Sequence, residues 1–461
     1  MQTTQKDSLG TEPVGKLLFR LSVPAVLAQI INMLYNIVDR AYIGHIEGIG
    51  SMALTGVGLT FPIIMLISAF SSLVGMGGAP LAAIKMGEKN NQHAEKILGN
   101  CVTALFVLSV VLTTFFMIYK RPLLMVFGAS GNTIDYADDY LSIYLIGTVF
   151  VQTALGLNSF INTQGFAKTG MITVVIGAAL NIVLDPIFIF VFGMGVKGAA
   201  LATIISQAVS AIWVLGFLFG KRTVLRIRKK NLKISPKVLL AVLGLGVSPF
   251  VMQATESLVN IVLNANLQRY GGDNAVGAMT IISSAMQMFM MPLMGLSQGA
   301  QPIVSYNYGA RQFDRVKKAF HIFLISALVF SCSVWLLCEF APQVIISVFS
   351  SDAGLLEITE WAMRIFMGGI LFMGAQIACQ QTFLAMGKAK VSLILALLRK
   401  VILLIPLVYI LAPIFEVTGV FCAEPVADFL ASATTVTVFM IYYKKLFKQP
   451  AQAVPNGGDD A

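Results

Sequence analysis

The sequence predicts an all-α integral membrane protein of twelve transmembrane helices, arranged as two six-helix bundles related by pseudo-two-fold symmetry along the membrane normal. Of its 461 residues, 57% are hydrophobic and 12% are charged, whereas soluble domains carry roughly 25% charged residues. Apolar runs of the roughly 20 residues needed to cross a bilayer recur twelve times between residues 17 and 443. Such spans are helices, because a bilayer offers backbone amides no external hydrogen-bond partner.

The net charge of +10 is distributed unevenly over the predicted loops. Loops on one face hold 24 of the 32 basic residues, eight of them in residues 221–237, and the opposite face holds six. The positive-inside rule then places both termini in the cytoplasm, which requires an even number of spans. We expect a multi-pass protein of a prokaryotic plasma (inner) membrane whose basic segment rests on anionic lipid headgroups and has no nucleic-acid partner.

Predicted boundaries follow from these runs. They are a cytoplasmic N-terminal tail (1–15), a first lobe of six spans (16–220), a basic linker (221–237), a second lobe of six spans (238–443) and a cytoplasmic C-terminal tail (444–461). The polar residues before the first run contain no signal peptide, so the first span is retained. The five cysteines show no CxxC spacing and predict neither disulfides nor a zinc site.

The two lobes are similar in sequence, which is common in transporters. The matches are Gln29 with Gln253 at an offset of 224, Gly77 with Gly299, Asn158 with Gln380 and Gly165 with Gly387 at 222, and Gly198 with Gly419 at 221. Each lobe has an even number of spans, so the repeats run in the same direction and enclose a central cleft between them.

The first span carries a polar face. Gln29, Asn32, Asn36 and Asp39 follow one another at spacings of three or four, which places them on one side of a helix. A carboxylate inside a span costs about 2.5–3.5 kcal/mol and therefore indicates function. The alternative is that Asp39 is a boundary residue beside Arg40.

A second acid lies in the fifth span, where Asn181 and Asp185 are one turn apart and Pro186 interrupts the backbone ladder. Together with Thr203 of the sixth span they offer only oxygen ligands, which suit Na⁺ or a proton. Two neighbouring carboxylates do not both stay charged easily, so a proton and a cation become alternative occupants. Ordinary interhelical hydrogen bonding remains the alternative for Asn181 and Thr203.

The second lobe repeats the polar face without its aspartate. Gln253, Glu256 and Asn260 share one side of the seventh span, and Glu256 is assigned to the central cavity, with a structural pairing as the alternative. The other residues assigned to the substrate cavity are Tyr35, Asn158, Met286 and Met290, with ordinary lipid-facing packing as the alternative for the methionines and Tyr35. Arg399 is predicted to form a buried ion pair with Glu424 or Asp428, since an unpaired charge there would be costly.

The runs PAVLAQIINMLYNIVDRAYIG and LNIVLDPIFIFVFGMGVKGAALAT, within a two-by-six arrangement, resemble the multidrug and toxic compound extrusion (MATE) family, close to its DinF/MepA-like branch. This resemblance implies that Asp39, Asn181, Asp185 and Thr203 form a cation or proton site. It also implies export of amphipathic organic cations in exchange for H⁺ or Na⁺, without a further cofactor. Glu256 matches an acid of other branches, but the tenth span offers only glutamines where some members carry an aspartate.

We expect the efflux antiporter to be a monomer. Two alternatives to this function stay open at this point. A lipid-linked oligosaccharide or lipid flippase of the same superfold would need several arginines lining the cavity, and only Arg399 is a candidate. A membrane-embedded enzyme would need a nucleophile with its base or a metal cluster, and the sequence shows neither.

Overall fold

The computed structural model describes residues 8–347 and 353–446, so parts of both predicted tails (1–7 and 447–461) lie outside the described residues. Within these ranges nine helices are long and apolar enough to cross a bilayer, and a pair of helices bent by 59° forms a tenth candidate. Two of the nine are too long for one crossing and contain a non-helical residue near their middle. Counting each as two passes gives twelve, and the predicted all-helical fold is confirmed.

The twelve passes are numbered α1 to α12. They are α1 Val14–Gly44, α2 Gly50–Gly87, α3 Asn91–Val126, α4 Ile134–Ile146 with Thr148–Thr163, α5 Ala167–Val191, α6 Gly195–Phe219, α7 and α8 as the two arms of Pro236–Gly309, α9 Phe313–Phe340, α10 Gly354–Ala385, and α11 and α12 as the two arms of Ala389–Lys445. Short helices cover Ser8–Thr11 and Pro342–Ile346, and a 3₁₀ turn covers Lys229–Asn231.

The segment Pro236–Gly309 illustrates how one long helical stretch forms two passes. Its 74 residues would extend roughly 110 Å as a straight helix, more than three times the thickness of a hydrocarbon core. Gly272 has φ +64°, a conformation that glycine adopts without strain, and the chain reverses there. Both arms then return to α2, because Gly246 lies against Leu73 and Gly309 lies against Ile84.

The internal repeat extends to the backbone of the turns. Residues with positive φ occur in pairs at the offsets found in the sequence: Gly48 and Gly272, Lys89 and Arg311, Gly165 and Gly387, and Gly195 and Glu416. Each pair joins equivalent helices of the two halves. Positive φ is uncommon for residues other than glycine. Its occurrence at Lys89 and Arg311, and at Glu416 opposite Gly195, therefore shows that equivalent turns of the two halves have the same geometry even where their residues differ.

The two halves exchange the beginnings of their first helices. Leu17 and Leu21 of α1 are buried in the apolar core of the second half, whereas Val242 of α7 is buried in a core of the first half. Close backbone contacts accompany this exchange: Gly299 packs against Ser22, and Gly246 packs against Leu73. We call this end of the bundle, where α1 and α7 begin, the linker face.

We call the opposite end of the bundle the far face. Gln253 of α7 still reaches the first half, since its Nε2 donates to Ser72 Oγ at 2.8 Å. Asn260 lies on the same side of α7, farther from the linker face, and is exposed. Amide side chains exposed to hydrocarbon are costly, so we infer that this polar side of α7 borders a cleft between the halves and does not face lipid. The contacts between the halves lie towards the linker face, so we infer that this cleft opens towards the far face.

The contact at Gly246 provides a first testable prediction. A Cβ atom at this position would lie 1.7 Å from the carbonyl oxygen of Leu73, so Gly246→Ala forces the two halves apart at the linker face. Overpacking of this kind costs about 1–3 kcal/mol. We expect the thermal unfolding midpoint of the purified protein to fall by about 2 °C or more.

Gly244→Ala is the matched control, since Gly244 is exposed on the same helix and a Cβ atom there would have no neighbour within 4 Å. Its midpoint should stay at or slightly above that of the unchanged protein, because alanine favours the helix. Equal midpoints for the two variants would contradict the close packing of the halves.

Candidate functional site

The two acids of the first half meet in the interior of the bundle. Asp39 is 8% exposed and Asp185 is fully buried, and their carboxyl groups are direct neighbours. Asp185 lies at the end of a regular stretch of α5, where Pro186 is followed by π-helical residues Ile187–Val191. A π-helical turn often marks a functional site, and the proline leaves a backbone carbonyl without its usual partner.

Asn181 links the acids to the sixth helix. Its Nδ2 donates to Asp185 Oδ1 at 3.1 Å and to Thr203 Oγ1 at 3.4 Å. Three other oxygen atoms of the group, Asp39 Oδ1, Asn181 Oδ1 and Asp185 Oδ2, are buried without a hydrogen-bond partner. Buried acceptors are normally satisfied, so this group of residues offers an incomplete shell of oxygen atoms to a cation or a proton.

Two tyrosines complete the surroundings of the acids. Tyr35 was predicted, as part of the substrate cavity, and it lies close enough to both carboxylates for their charges to act on it. Tyr140 of α4 was not predicted, yet it is buried beside Asp39 and Thr203. A phenolic hydroxyl can donate a hydrogen bond to a carboxylate and accept one from another donor, so Tyr140 is a candidate member of the site.

A small cavity of about 50 Å³, lined mostly by polar residues, adjoins this group and lies within the first half. Its predicted members are Asn32, Tyr35, Asn158, Asn181 and Thr203, and its unpredicted polar members are Thr173, Ser206, Gln207 and Ser210. Asn158 Oδ1 and Ser206 Oγ are buried without partners, so the cavity has unused hydrogen-bonding capacity. The remaining members of the polar face are half-buried: Gln29, and Asn36, whose Nδ2 donates to the backbone oxygen of Asn32 at 2.6 Å.

The structure thus divides the residues predicted to line a single substrate cavity. Tyr35 and Asn158 lie with the candidate coupling residues in the first half, whereas Gln253, Glu256 and Asn260 share one side of α7 in the second half. Met286 and Met290 are half-buried and pack against the apolar core of the second half.

The second half contains a cluster of five charged side chains. Arg399 Nε donates to Asp428 Oδ1 at 2.6 Å and its Nη2 donates to Glu424 Oε1 at 3.2 Å, which is the geometry expected of a buried ion pair. Lys400, which the sequence did not single out, lies 3.1 Å from Glu256 Oε2 and 4.0 Å from Glu424 Oε1. Glu256 therefore has a partner, although its side chain remains 55% exposed.

The fold and the site define an integral membrane transporter built from two helical repeats around a cleft. The chain belongs to the MatE family, whose model matches residues 24–187 and 249–410. The predicted family resemblance is therefore confirmed, as is the prediction of a transport protein in place of an enzyme.

Known relatives agree over nearly the whole chain. The chain is 26% identical to the multidrug export protein MepA of Staphylococcus haemolyticus, over 93% of each chain. It is 24% identical to MepA of Staphylococcus aureus (strain N315), over 94% of this chain and 95% of the relative.

Solved structures show the same fold. A crystal structure of MATE in the bent conformation aligns with a TM-score of 0.90 at 25% identity, covering 98% of this chain and all of the other. An outward-facing multidrug resistance MATE family transporter aligns with a TM-score of 0.88 at 24% identity, over 96% and 98% of the two chains.

Proposed function

We propose that the protein exports amphipathic organic cations across a prokaryotic plasma membrane in exchange for H⁺ or Na⁺, as a monomer with both termini in the cytoplasm. The observation that carries the proposal is the pair of buried neighbours Asp39 and Asp185, whose unpartnered oxygen atoms lie beside Asn181, a residue that lines the cavity. The MepA relatives are named multidrug export proteins, which supports both outward transport and drugs as the cargo.

The chemistry of the site suits a small hard cation. Carboxylate, amide and hydroxyl oxygens are the donors that Na⁺ accepts, and a carboxylate pair also accepts a proton. Asn181 holds the carboxylate of Asp185 and the hydroxyl of Thr203 in one place through its amide group. An ion entering this site would change the charge of a buried region at the contact between α1 and α5.

Transport then requires that the ion and the organic cation favour different states of the two halves, since a ligand shifts an equilibrium only by its differential affinity. In the structure the halves meet at the linker face, so a cleft between them would open towards the far face. We propose that this is the state from which the drug leaves, and that occupation of the site by the coupling ion moves α1 and lowers the affinity of the cleft for the drug.

The flippase alternative receives less support from the geometry. It needs cationic side chains presented to an anionic headgroup in the cleft, but the side chain of Arg399 is 10% exposed and is bound by two carboxylates. Lys400 is equally buried and faces Glu256. A cleft in which the exposed charge belongs to a glutamate favours a cationic cargo.

Purified protein in proteoliposomes tests the proposal. We expect an imposed Na⁺ gradient or an imposed pH gradient to accelerate the movement of ethidium in the opposite direction, and the choice of gradient identifies the coupling ion. Liposomes without protein and proteoliposomes with the gradient reversed are the controls. Ethidium movement that responds to neither gradient would count against exchange, and ethidium that does not move at all would count against export of cations.

A further inference from the structure

The charged cluster of the second half occupies the position that the polar cavity occupies in the first. The offsets of the repeat pair the cavity residues Asn32, Ala178, Thr203 and Gln207 with Glu256, Lys400, Glu424 and Asp428, respectively, at 224, 222, 221 and 221 residues. The positive-φ turns that flank these helices obey the same offsets. Where the first half leaves a cavity between its acids and its polar side chains, the second half places two basic side chains.

Lys400 is buried among acids but is only loosely attached to the rest of the cluster. Arg399 satisfies Asp428 and Glu424 at 2.6 and 3.2 Å, and Lys400 is 4.0 Å from Glu424. The close partner of its ammonium group is Glu256, at 3.1 Å. One more acid than base is present, and Glu424 Oε2 and Asp428 Oδ2 have no hydrogen-bond partner.

Glu256 is the member of the cluster that solvent reaches. It shares a side of α7 with Gln253, which touches the first half at Ser72, and with the exposed Asn260. Its side chain, which is 55% exposed, therefore borders the inferred cleft, close to the point where the halves meet. A cationic ligand in the cleft and the ammonium group of Lys400 would compete for the same carboxylate.

We propose that Lys400 is a tethered competitor that determines the affinity and charge preference of the cleft. Without cargo, its ammonium group neutralises Glu256, so the empty transporter carries no free carboxylate in the cleft. A cationic cargo binds Glu256 by displacing this ammonium group, which lowers net affinity and lets the cargo leave again. The inference rests on the proposed transport of cations and assigns to Lys400 a role in specificity.

Binding of two ions of similar shape and opposite charge tests the role of Lys400. Tetraphenylphosphonium and tetraphenylborate are titrated into the full-length protein in nanodiscs, with empty nanodiscs subtracting partition into lipid. We expect Lys400→Gln to bind tetraphenylphosphonium about two- to fivefold more tightly, the range of a partly exposed ion pair that no longer competes. Tetraphenylborate should bind this variant no more tightly than it binds the unchanged protein.

Further variants separate competition from a structural role. Lys400→Arg keeps the charge and should retain the original affinity, whereas Glu256→Gln should weaken binding of tetraphenylphosphonium. In the double variant with Glu256→Gln and Lys400→Gln, the gain from removing the lysine should vanish. If Lys400→Gln does not fold, the variant with Lys400→Gln and Glu424→Gln removes one buried charge of each sign and should show the same gain.

If folded Lys400→Gln, or the variant with Lys400→Gln and Glu424→Gln, binds tetraphenylphosphonium with an affinity equal to or weaker than that of the unchanged protein, the inference is overturned. That outcome differs from failure of the proposed function, in which the unchanged protein neither binds tetraphenylphosphonium nor moves ethidium in proteoliposomes.

Discussion

Replacing either acid of the first half, by Asp39→Asn or Asp185→Asn, should abolish export of ethidium from loaded cells while the protein remains folded. Asparagine has the size of aspartate and keeps one acceptor oxygen, but it cannot change its charge on taking up a proton or a cation. Both side chains are buried next to each other, so bulk water cannot replace the lost carboxylate. Efflux of ethidium, followed by fluorescence, should fall to the level of cells without the protein.

Asp314→Asn is the matched control, because the side chain of Asp314 is 98% exposed at the linker face and its partner Lys317 is 3.5 Å away. This variant should export ethidium as the unchanged protein does. Membrane abundance and the elution profile in detergent must be equal for all three variants. Retained efflux in Asp39→Asn or Asp185→Asn at equal abundance would remove the buried acids from the coupling mechanism.

The pairing of these acids could be predicted from the sequence because two separate signals agree. Asp39 ends a polar face with helical spacing, and Asp185 follows Asn181 by one turn beside a proline. Carboxylates in a span are costly wherever they face lipid, so both had to turn inward. The family resemblance then supplied their proximity, which spacing alone does not provide.

Tyr140 could not be predicted for a similar physical reason. It lies in a segment with three aspartates, Asp135, Asp138 and Asp139, which is typical of an interfacial helix outside the membrane core. In the structure this segment bends by 59° into the second part of α4 and turns its aromatic side towards Asp39. The bend falls at Gly147, where a Cβ atom would lie 2.2 Å from Ile204 of α6, and a single glycine in the sequence does not predict such close packing.

Lys400 was missed because of a local change in helix geometry. Consecutive residues of a regular α-helix point about 100° apart, so a sequence analysis that directs Arg399 towards the acids directs Lys400 away from them. Residues 398–404 form a π-helical stretch, in which the wider turn changes the direction of successive side chains. Both basic residues consequently face the acids.

The residues predicted to line one substrate cavity fall into two groups, because residue spacing does not specify what a helix side packs against. Spacing identifies the polar side of α1 but not whether that side borders the cleft or the interior of its own half. The side chain of Asn32 lines the first-half cavity, while its counterpart Glu256 lies beside the cleft and pairs with Lys400. The two halves share a backbone arrangement, and the side chains within it decide where a cavity remains.

The ion pair of Arg399 should contribute far more to stability than an exposed pair of the same chemistry. Arg399→Met leaves Asp428 and Glu424, which are 1% and 2% exposed, without the cation that is bonded to both. Breaking a buried pair by removing one partner costs about 3–5 kcal/mol, because the remaining charge stays in a low-dielectric interior. We expect Arg399→Met to lower the free energy of unfolding by this amount, measured by denaturant titration in micelles.

Arg364→Met provides the comparison, since Arg364 pairs with Glu360 at 2.8 Å with its side chain 42% exposed. Solvent screens this pair, so its loss should cost no more than about 1 kcal/mol. Adding Asp428→Asn to Arg399→Met should recover part of the lost stability, because it removes one of the two unpaired charges. Equal losses for the Arg399 and Arg364 variants would mean that water reaches the cluster, and the low-dielectric environment inferred for Lys400 and Glu424 would then be wrong.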